Sequence, residues 1–258
     1  MRCEVAPRRA SIRTWLSDSG SVVGRNWPVS SVRLIKRFKG SKLMSQADIE
    51  KNAGTPVPVH SDRSNPQARI PYGCTIEHIR SAMTDYVEFL GFINTQLHTK
   101  GMQRLESFLM PANSSSMVGE FMTSSISRHC ATLVKNKYHN GHPDLLPQEM
   151  FPEDSILHAP DGIEIKASRY ARGWQGHNPE DVRLMVFVFD CNRPTDPAKN
   201  LPPRPFRFVK VVGAEPEKSD WQFSGRSSTS RRTITASITK TGFAKMEANW
   251  IYRATGRA

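Results

Sequence analysis

Residues 162–168 read Gly162-Ile163-Glu164-Ile165-Lys166-Ala167-Ser168, and polar and apolar side chains alternate along the centre of this stretch. Alternation with a period of two is typical of a β-strand. In such a strand Glu164 and Lys166 point to one face, and the two isoleucines point to the other. A second short segment, Pro143-Asp144, stands twenty residues before Glu164. The two segments together decide which fold and which chemistry we expect.

Two carboxylates and a lysine at one strand edge form a minimal set for binding Mg²⁺ beside a phosphodiester. Carboxylate oxygens are hard ligands that suit this ion, and a lysine can steady a water or a phosphate oxygen. The chain has thirteen lysines, and only Lys166 has an acidic residue two positions before it. The alternative interpretation is an exposed strand face with an ordinary ion pair, which contributes little energy.

The two segments resemble the motifs of the PD-(D/E)xK nuclease superfamily, which has the restriction-endonuclease-like fold. Pro143-Asp144 corresponds to the first half of the motif, and Glu164-Ile165-Lys166 corresponds to the second. The resemblance covers about residues 117–238 and implies a helix, a strand hairpin and further strands. Pro160-Asp161 lies too close to Glu164 to form a separate strand, and Asp154 falls in a loop rich in proline and acids. Asp144 is therefore the preferred first carboxylate.

The resemblance implies a role for each residue of the motif. Asp144 and Glu164 would hold Mg²⁺, with the Ile165 carbonyl as a further ligand, and Lys166 would orient or help to deprotonate the attacking water. Family members often carry another glutamate on a preceding helix for a second metal, and Glu120 is the candidate by position. Glu120 is equally explained by a helix dipole, which favours a carboxylate in the first turn. The resemblance also implies products with 5′-phosphate and 3′-hydroxyl ends.

Two clusters of basic, aromatic and amide residues follow the motif and predict DNA contacts. Such side chains bind phosphates, read base edges and stack on bases. The predicted contacts are Arg169, Arg172, Trp174, Gln175, His177 and Asn178 in the first cluster, and Arg226, Arg231 and Arg232 in the second. The alternatives are a folded loop with Trp174 packed inward and a flexible basic surface turn. His142, next to the motif, is read as a partly exposed loop histidine in preference to a proton-transfer group.

Periodicity and turn residues predict the elements of an α/β fold. Apolar residues at three- and four-residue steps predict a helix over 75–99, and similar patterns predict helices over 102–109, 117–138 and 241–250. Strands are predicted at 144–146, 162–168, 184–189, 206–212 and 233–238. The run at 184–189 is apolar throughout, as in a strand buried on both faces. We expect a restriction-endonuclease-like core with a central mixed β-sheet of about five strands flanked by helices.

The net charge of +12 favours a polyanionic partner, and it is unevenly distributed over the 258 residues. Residues 1–43 hold ten Lys/Arg against two acids, a net of +8, which leaves +4 for residues 44–258. We expect residues 1–43 to be disordered; the alternatives are a basic nucleic-acid-binding arm and a translation start at Met44. Residues 44–73 are interpreted as an extended lead-in because prolines recur there, and residues 74–258 as a single nuclease domain.

Cysteine usage and hydropathy indicate a soluble, cytoplasmic protein. The four cysteines are widely scattered without a Cys-x-x-Cys pair, which predicts reduced thiols and no structural zinc site. No apolar run approaches the ~20 residues of a membrane helix. The basic start of the chain lacks the apolar stretch of a signal peptide.

The sequence favours an Mg²⁺-dependent endonuclease that cuts double-stranded DNA, most specifically a type II restriction enzyme. Such an enzyme usually acts as a homodimer on a symmetric site and works beside a cognate DNA methyltransferase. Within the same fold, the alternative is a repair or phage nuclease. Outside it, the alternative is a non-catalytic nucleic-acid-binding protein, for which the motif residues would be dispensable.

Overall fold

The first part of the described chain is helical, and strands follow it with one further α-helix before the last strand. The structure is a computed structural model that describes residues 45–176, 183–223 and 236–254. Its helices are α1 (Gln46–Ala53), α2 (Ile76–Thr99), α3 (Leu105–Phe108), α4 (Pro111–His129) and α5 (Lys240–Ala248). Its strands are β1 (Leu133–Lys135), β2 (Leu145–Pro147), β3 (Ile163–Ser168), β4 (Gln175–Gly176), β5 (Arg183–Asp190), β6 (Arg207–Ala214), β7 (Trp221–Phe223), β8 (Ala236–Ile238) and β9 (Trp250–Arg253).

Six strands form the central sheet, in the order β1-β2-β3-β5-β6-β9. All neighbours are antiparallel except β3 and β5, which run parallel over six residue pairs from Ile163↔Arg183 to Ser168↔Val188. The predicted mixed α/β sheet with flanking helices is confirmed at this level. Three short strands, in the order β4-β8-β7, form a second sheet that the sequence did not predict.

Strand β5 is buried on both faces, as its unbroken apolar run predicts. Met185, Phe187 and Phe189 belong to the hydrophobic core that α2 and α4 share with the sheet. Leu184, Val186 and Val188 belong to a second core on the other face, with residues of α5 and two tryptophans. Because successive side chains of a strand point to opposite faces, α2 and α4 cover one face of β5, and α5 together with residues of the second sheet covers the other.

Helix α2 confirms the helix predicted over 75–99. The Thr75 hydroxyl accepts the backbone N–H of His78, and the His78 ring accepts the N–H of Thr75, which together form a capping box. Gly101 follows the helix with a φ of +66°, a conformation that glycine adopts without a steric penalty.

The helix predicted over 117–138 is wrong at both ends. Helix α4 begins at Pro111, which suits the first helical position because its missing N–H needs no partner there. It ends at His129, and residues 133–135 form β1 instead of continuing the helix. The backbone of β1 pairs with β2 along Leu133↔Pro147 to Lys135↔Leu145. The four-residue spacing that suggested a longer helix is overridden by this long-range pairing.

Three further predictions differ from the structure. Residues 46–53 are helical within the predicted extended lead-in, because Ser45 and Asp48 form a capping box ahead of the first proline. The last helix ends at Ala248, and Trp250–Arg253 pairs with β6 at the sheet edge. The fifth predicted strand is described only from Ala236, and it belongs to the second sheet.

The described residues all lie in one compact unit that spans Met44–Ala258. The predictions for residues 1–43 lie outside the described part of the chain. Within the described part, no helix is both long and apolar enough to span a membrane.

Candidate active site

Strands β2 and β3 approach each other at the point where the two motif segments meet. Their antiparallel ladder contains the pair Leu145↔Ile163, and continuing this register places Asp144 opposite Glu164. Gly162, with a φ of +137°, makes the approach possible. A Cβ on this residue would lie 2.3 Å from the Leu145 carbonyl oxygen and 2.4 Å from the ring of Pro143. The glycine therefore lets the two carboxylates face one another.

The Asp144 side chain is anchored to the backbone of β3. Its Oδ2 accepts the N–H of Ile165 at 2.8 Å. The N–H and C=O of one strand residue point to the same edge, so the Ile165 carbonyl lies on the edge that carries Asp144. Ile165 itself is buried in the core below. This placement is compatible with the carbonyl as a third oxygen donor beside the carboxylates.

Glu164 is buried, and the side chains of Lys166 and His142 contact its two carboxylate oxygens. Lys166 Nζ hydrogen-bonds Oε1, and His142 Nδ1 lies 2.9 Å from Oε2. The His142 ring also stacks on His158, with 5.5 Å between ring centroids. His142 is partly exposed and lies outside the named strands, as the sequence predicted, and its ring also contacts a motif carboxylate. Its position directly before Pro143-Asp144 is the signal that pointed to it.

The two carboxyl groups have opposite pKa shifts. Burial, and then the charge of Glu164, raise the pKa of Asp144 to about 7. Burial acts in the same direction on Glu164, but the hydrogen bond from His142 and the charge of Lys166 outweigh it and lower its pKa to about 2. Adjacent buried carboxylates repel each other unless a proton or a cation lies between them. These oxygen donors therefore fit a hard divalent cation such as Mg²⁺.

Glu120 lies well past the first turn of α4, so the helix-dipole explanation of its carboxylate is wrong, and its recorded ion pair is not with the carboxylate pair. Its side chain is 68% exposed and forms an ion pair with Lys135, at 2.8 Å. Lys135 stands opposite Leu145, next to Asp144, so Glu120 approaches the same end of the sheet. A role in a second metal site would require the lysine to release it.

The predicted DNA contacts divide into structural and exposed residues. Arg169 Nη1 donates to the carbonyl of Asn192 at 2.9 Å, and its guanidinium lies over the Phe189 ring. Trp174 is 3% exposed and donates its Nε1–H to the Tyr170 carbonyl, so the inward-packed alternative describes it. The exposed residues of the first cluster are Arg172 and Gln175. His177, Asn178, Arg226, Arg231 and Arg232 lie outside the described residues.

The raised pKa of Asp144 predicts a pH-dependent stability of the metal-free protein. An unfolded Asp titrates at 3.8, so the stability from protonated Asp144 is complete below that pH and is lost as pH rises through about 7. From pH 5 to pH 8 we expect the free energy of unfolding to fall by about 2 kcal/mol on this account. The lowered pKa of Glu164 contributes stability that is present above pH 4.5, the pKa of an unfolded Glu, and is lost only below it. This change lies outside the interval from pH 5 to pH 8.

Urea unfolding at pH 5 and pH 8 checks this prediction against Asp144→Asn, whose amide can still accept the Ile165 N–H but does not titrate. We expect the variant to lack the decrease, and Mg²⁺ to abolish it in the wild type. Equal pH dependence of the two proteins would contradict the assignment.

Comparisons with models of protein families, with curated proteins and with solved structures find no match for this chain. The local arrangement of Asp144, Glu164, Lys166 and His142 is therefore the basis for inferring a function. A function inferred from side chains rests on their chemistry and geometry, since one fold can carry many activities.

Proposed function

We propose that this protein is an Mg²⁺-dependent nuclease that hydrolyses DNA phosphodiester bonds. The observation that carries the proposal is the meeting of Asp144, Glu164 and Lys166 at one edge of β3. Two carboxylates face each other there, and a lysine already contacts one of them. The order of helix, strand hairpin and further strands, from α4 to β6, supports a restriction-endonuclease-like core.

Each residue has a task that follows from its position. Asp144, Glu164 and the Ile165 carbonyl would hold Mg²⁺, which supplies charge for the phosphate and lowers the pKa of water. Asp144 would have to be deprotonated to serve as a ligand, because its raised pKa leaves it partly protonated near neutral pH. Lys166 would orient the attacking water, and His142 contacts the other Glu164 oxygen and would keep it in place.

Charge and surface chemistry support DNA as the substrate. The chain carries a net +12, and Arg172 is exposed a few residues after the catalytic strand. We propose a type II restriction endonuclease that acts in the cytoplasm as a homodimer on double-stranded DNA, with a cognate DNA methyltransferase. Two copies of the site would then cut the two strands of a symmetric sequence.

Digestion of unmethylated plasmid and phage DNA tests the proposal. We expect discrete fragments with Mg²⁺, no cleavage with EDTA, and no cleavage by Glu164→Gln, which keeps the size of the side chain but removes its charge. The variant also reveals any contaminating nuclease, since that activity would survive the substitution.

Three outcomes separate the alternatives. Mg²⁺-dependent smears without discrete fragments would favour a repair or phage nuclease of the same fold. Salt-sensitive DNA binding that ignores Mg²⁺, without cleavage of several genomes, would favour a non-catalytic binding protein. Equal cleavage by wild type and Glu164→Gln would overturn the site.

A further inference from the structure

A cluster of two cysteines and one histidine lies outside the carboxylate site. Cys74 precedes Thr75, the N-cap of α2, His78 lies in the first turn of that helix, and Cys130 is the C-terminal cap of α4. One ligand atom from each residue lies within 4.8 Å of the other two. The fold therefore gathers three soft metal-binding groups at the point where two core helices meet.

We propose that Cys74, His78 and Cys130 bind one thiophilic divalent metal ion, with Zn²⁺ as the ion that suits them best. Two thiolates and an imidazole are ligands that Zn²⁺ prefers, whereas Mg²⁺ prefers oxygen. Tetrahedral Zn²⁺ with ligand bonds of about 2.0–2.3 Å keeps its donor atoms roughly 3.5–4 Å apart. The donor atoms are thus already near the separation that the ion requires.

The two cysteines of the cluster are shielded from solvent. Cys74 is 5% exposed and Cys130 is fully buried, while His78 is partly exposed and offers a path for the ion. Burial, and then the neighbouring Cys130, raise the pKa of the Cys74 thiol, so this thiol holds its proton when no metal is bound. Metal binding must displace that proton, and its affinity should rise with pH.

Two neighbouring hydrogen bonds define what the site can hold. His78 Nδ1 accepts the Thr75 N–H at 3.2 Å. An ion on Nδ1 would replace this hydrogen bond, and an ion on Nε2 would leave the ring proton on Nδ1. Either binding mode therefore removes this helix cap. Losing a cap costs about 1 kcal/mol, far less than a zinc–thiolate site contributes. The Thr132 hydroxyl lies 3.2 Å from Cys130 Sγ but already donates to the Tyr72 carbonyl.

The cluster is connected to the carboxylate site through Tyr72. The Tyr72 hydroxyl accepts the N–H of Gly162 at 3.0 Å, two residues before Glu164. Tyr72 also precedes Cys74 by two residues. A metal ion that fixes the start of α2 would thereby steady the strand of the carboxylates without touching them. The site does not depend on the proposed nuclease activity.

Cobalt titration of the full-length, reduced protein tests this proposal. We expect one Co²⁺ per chain with the near-ultraviolet charge-transfer band of thiolate ligands, and displacement of Co²⁺ by Zn²⁺ but not by Mg²⁺. Cys191→Ser is the matched control, because Cys191 is a third buried free thiol and no member of the cluster. The band should persist in Cys191→Ser and disappear in Cys74→Ser and in Cys130→Ser.

Two further measurements guard against a loss of folding in the cysteine variants. His78→Ala changes a partly exposed ring, and we expect it to keep its circular dichroism but to bind Co²⁺ at least about tenfold more weakly. In the wild type, Zn²⁺ at a hundredfold excess over its Kd should raise Tm by about 5–10 °C.

Several results would overturn the proposal. These are the absence of a charge-transfer band in folded wild type, a band that survives Cys74→Ser and Cys130→Ser, unchanged affinity in folded His78→Ala, or a disulfide between Cys74 and Cys130 under reducing conditions. Any of them would leave the cluster as buried thiols that pack as small apolar groups.

Discussion

Lys166→Ala should lower the rate of Mg²⁺-dependent DNA cleavage by about a thousandfold or more while the protein stays folded. A positioned group that manages a proton or a developing charge contributes about 10²–10⁴ to a rate. Lys166 is the cation in contact with Glu164, and alanine at that position cannot orient water or phosphate. Mg²⁺ binding should be retained or strengthened, because Glu164 Oε1 no longer has the ammonium as a competitor.

The matched control is Lys137→Ala, which removes the same charge just beyond β1. Lys137 forms an exposed ion pair with Asp154, at 3.1 Å, and such pairs contribute about 0–1 kcal/mol. Single-turnover cleavage and Mg²⁺ titration should show near wild-type behaviour for this variant. If Lys166→Ala cleaves as fast as Lys137→Ala, Lys166 has no part in catalysis.

Gly162→Ala should destabilise the protein by about 3–5 kcal/mol and abolish Mg²⁺ binding at the carboxylates. The new Cβ would lie 2.3 Å from the Leu145 carbonyl oxygen, and the backbone φ of +137° is closed to alanine. Relief of the clash requires β2 and β3 to separate. Asp144 would then lose its bond to the Ile165 N–H and its position opposite Glu164.

Two other glycines serve as controls that separate the cost of backbone strain from the cost of the steric clash. Gly101 has a φ of +66° with no atom within 4 Å of an added Cβ, so Gly101→Ala should cost only the backbone strain, about 1–2 kcal/mol. Gly119 lies inside α4 with the same open space, and Gly119→Ala should stabilise by about 0.5–1 kcal/mol. Urea unfolding checks all three, and a Gly162→Ala effect no larger than that of Gly101→Ala would contradict the strand approach described above.

Local sequence patterns were sufficient to predict an element where its signals lie within the element and next to its ends. The period of α2, with Thr75 before it and Gly101 after it, predicts that helix almost to the residue. The apolar run of β5 likewise predicts a strand buried on both faces, because such a strand hides the side chains of successive residues on opposite sides. The same kind of pattern failed for β1, whose backbone partner is remote in sequence.

The candidate site shows the same division. The alternation around Glu164 and Lys166 placed both side chains on one face of β3, and the structure brings them into contact. The contact of His142 with Glu164 and the burial of Trp174 depend on packing that no local period records. Scattered cysteines likewise indicated no metal site, yet the fold brings Cys74 and Cys130 together with His78.

The sequence by itself determined the strand that carries Glu164 and Lys166, the long helix α2 and the mixed α/β class, because side-chain period and end signals act within a few residues. The meeting of Asp144 with Glu164 was expected only from the family motif, and tertiary structure alone decided that His142 joins them and that two cysteines meet across α2 and α4. The residues in these contacts are 20 to 56 positions apart in the sequence. They form only when the pairing of β2 with β3 and the packing of the two helices remove more apolar surface from water than any local alternative.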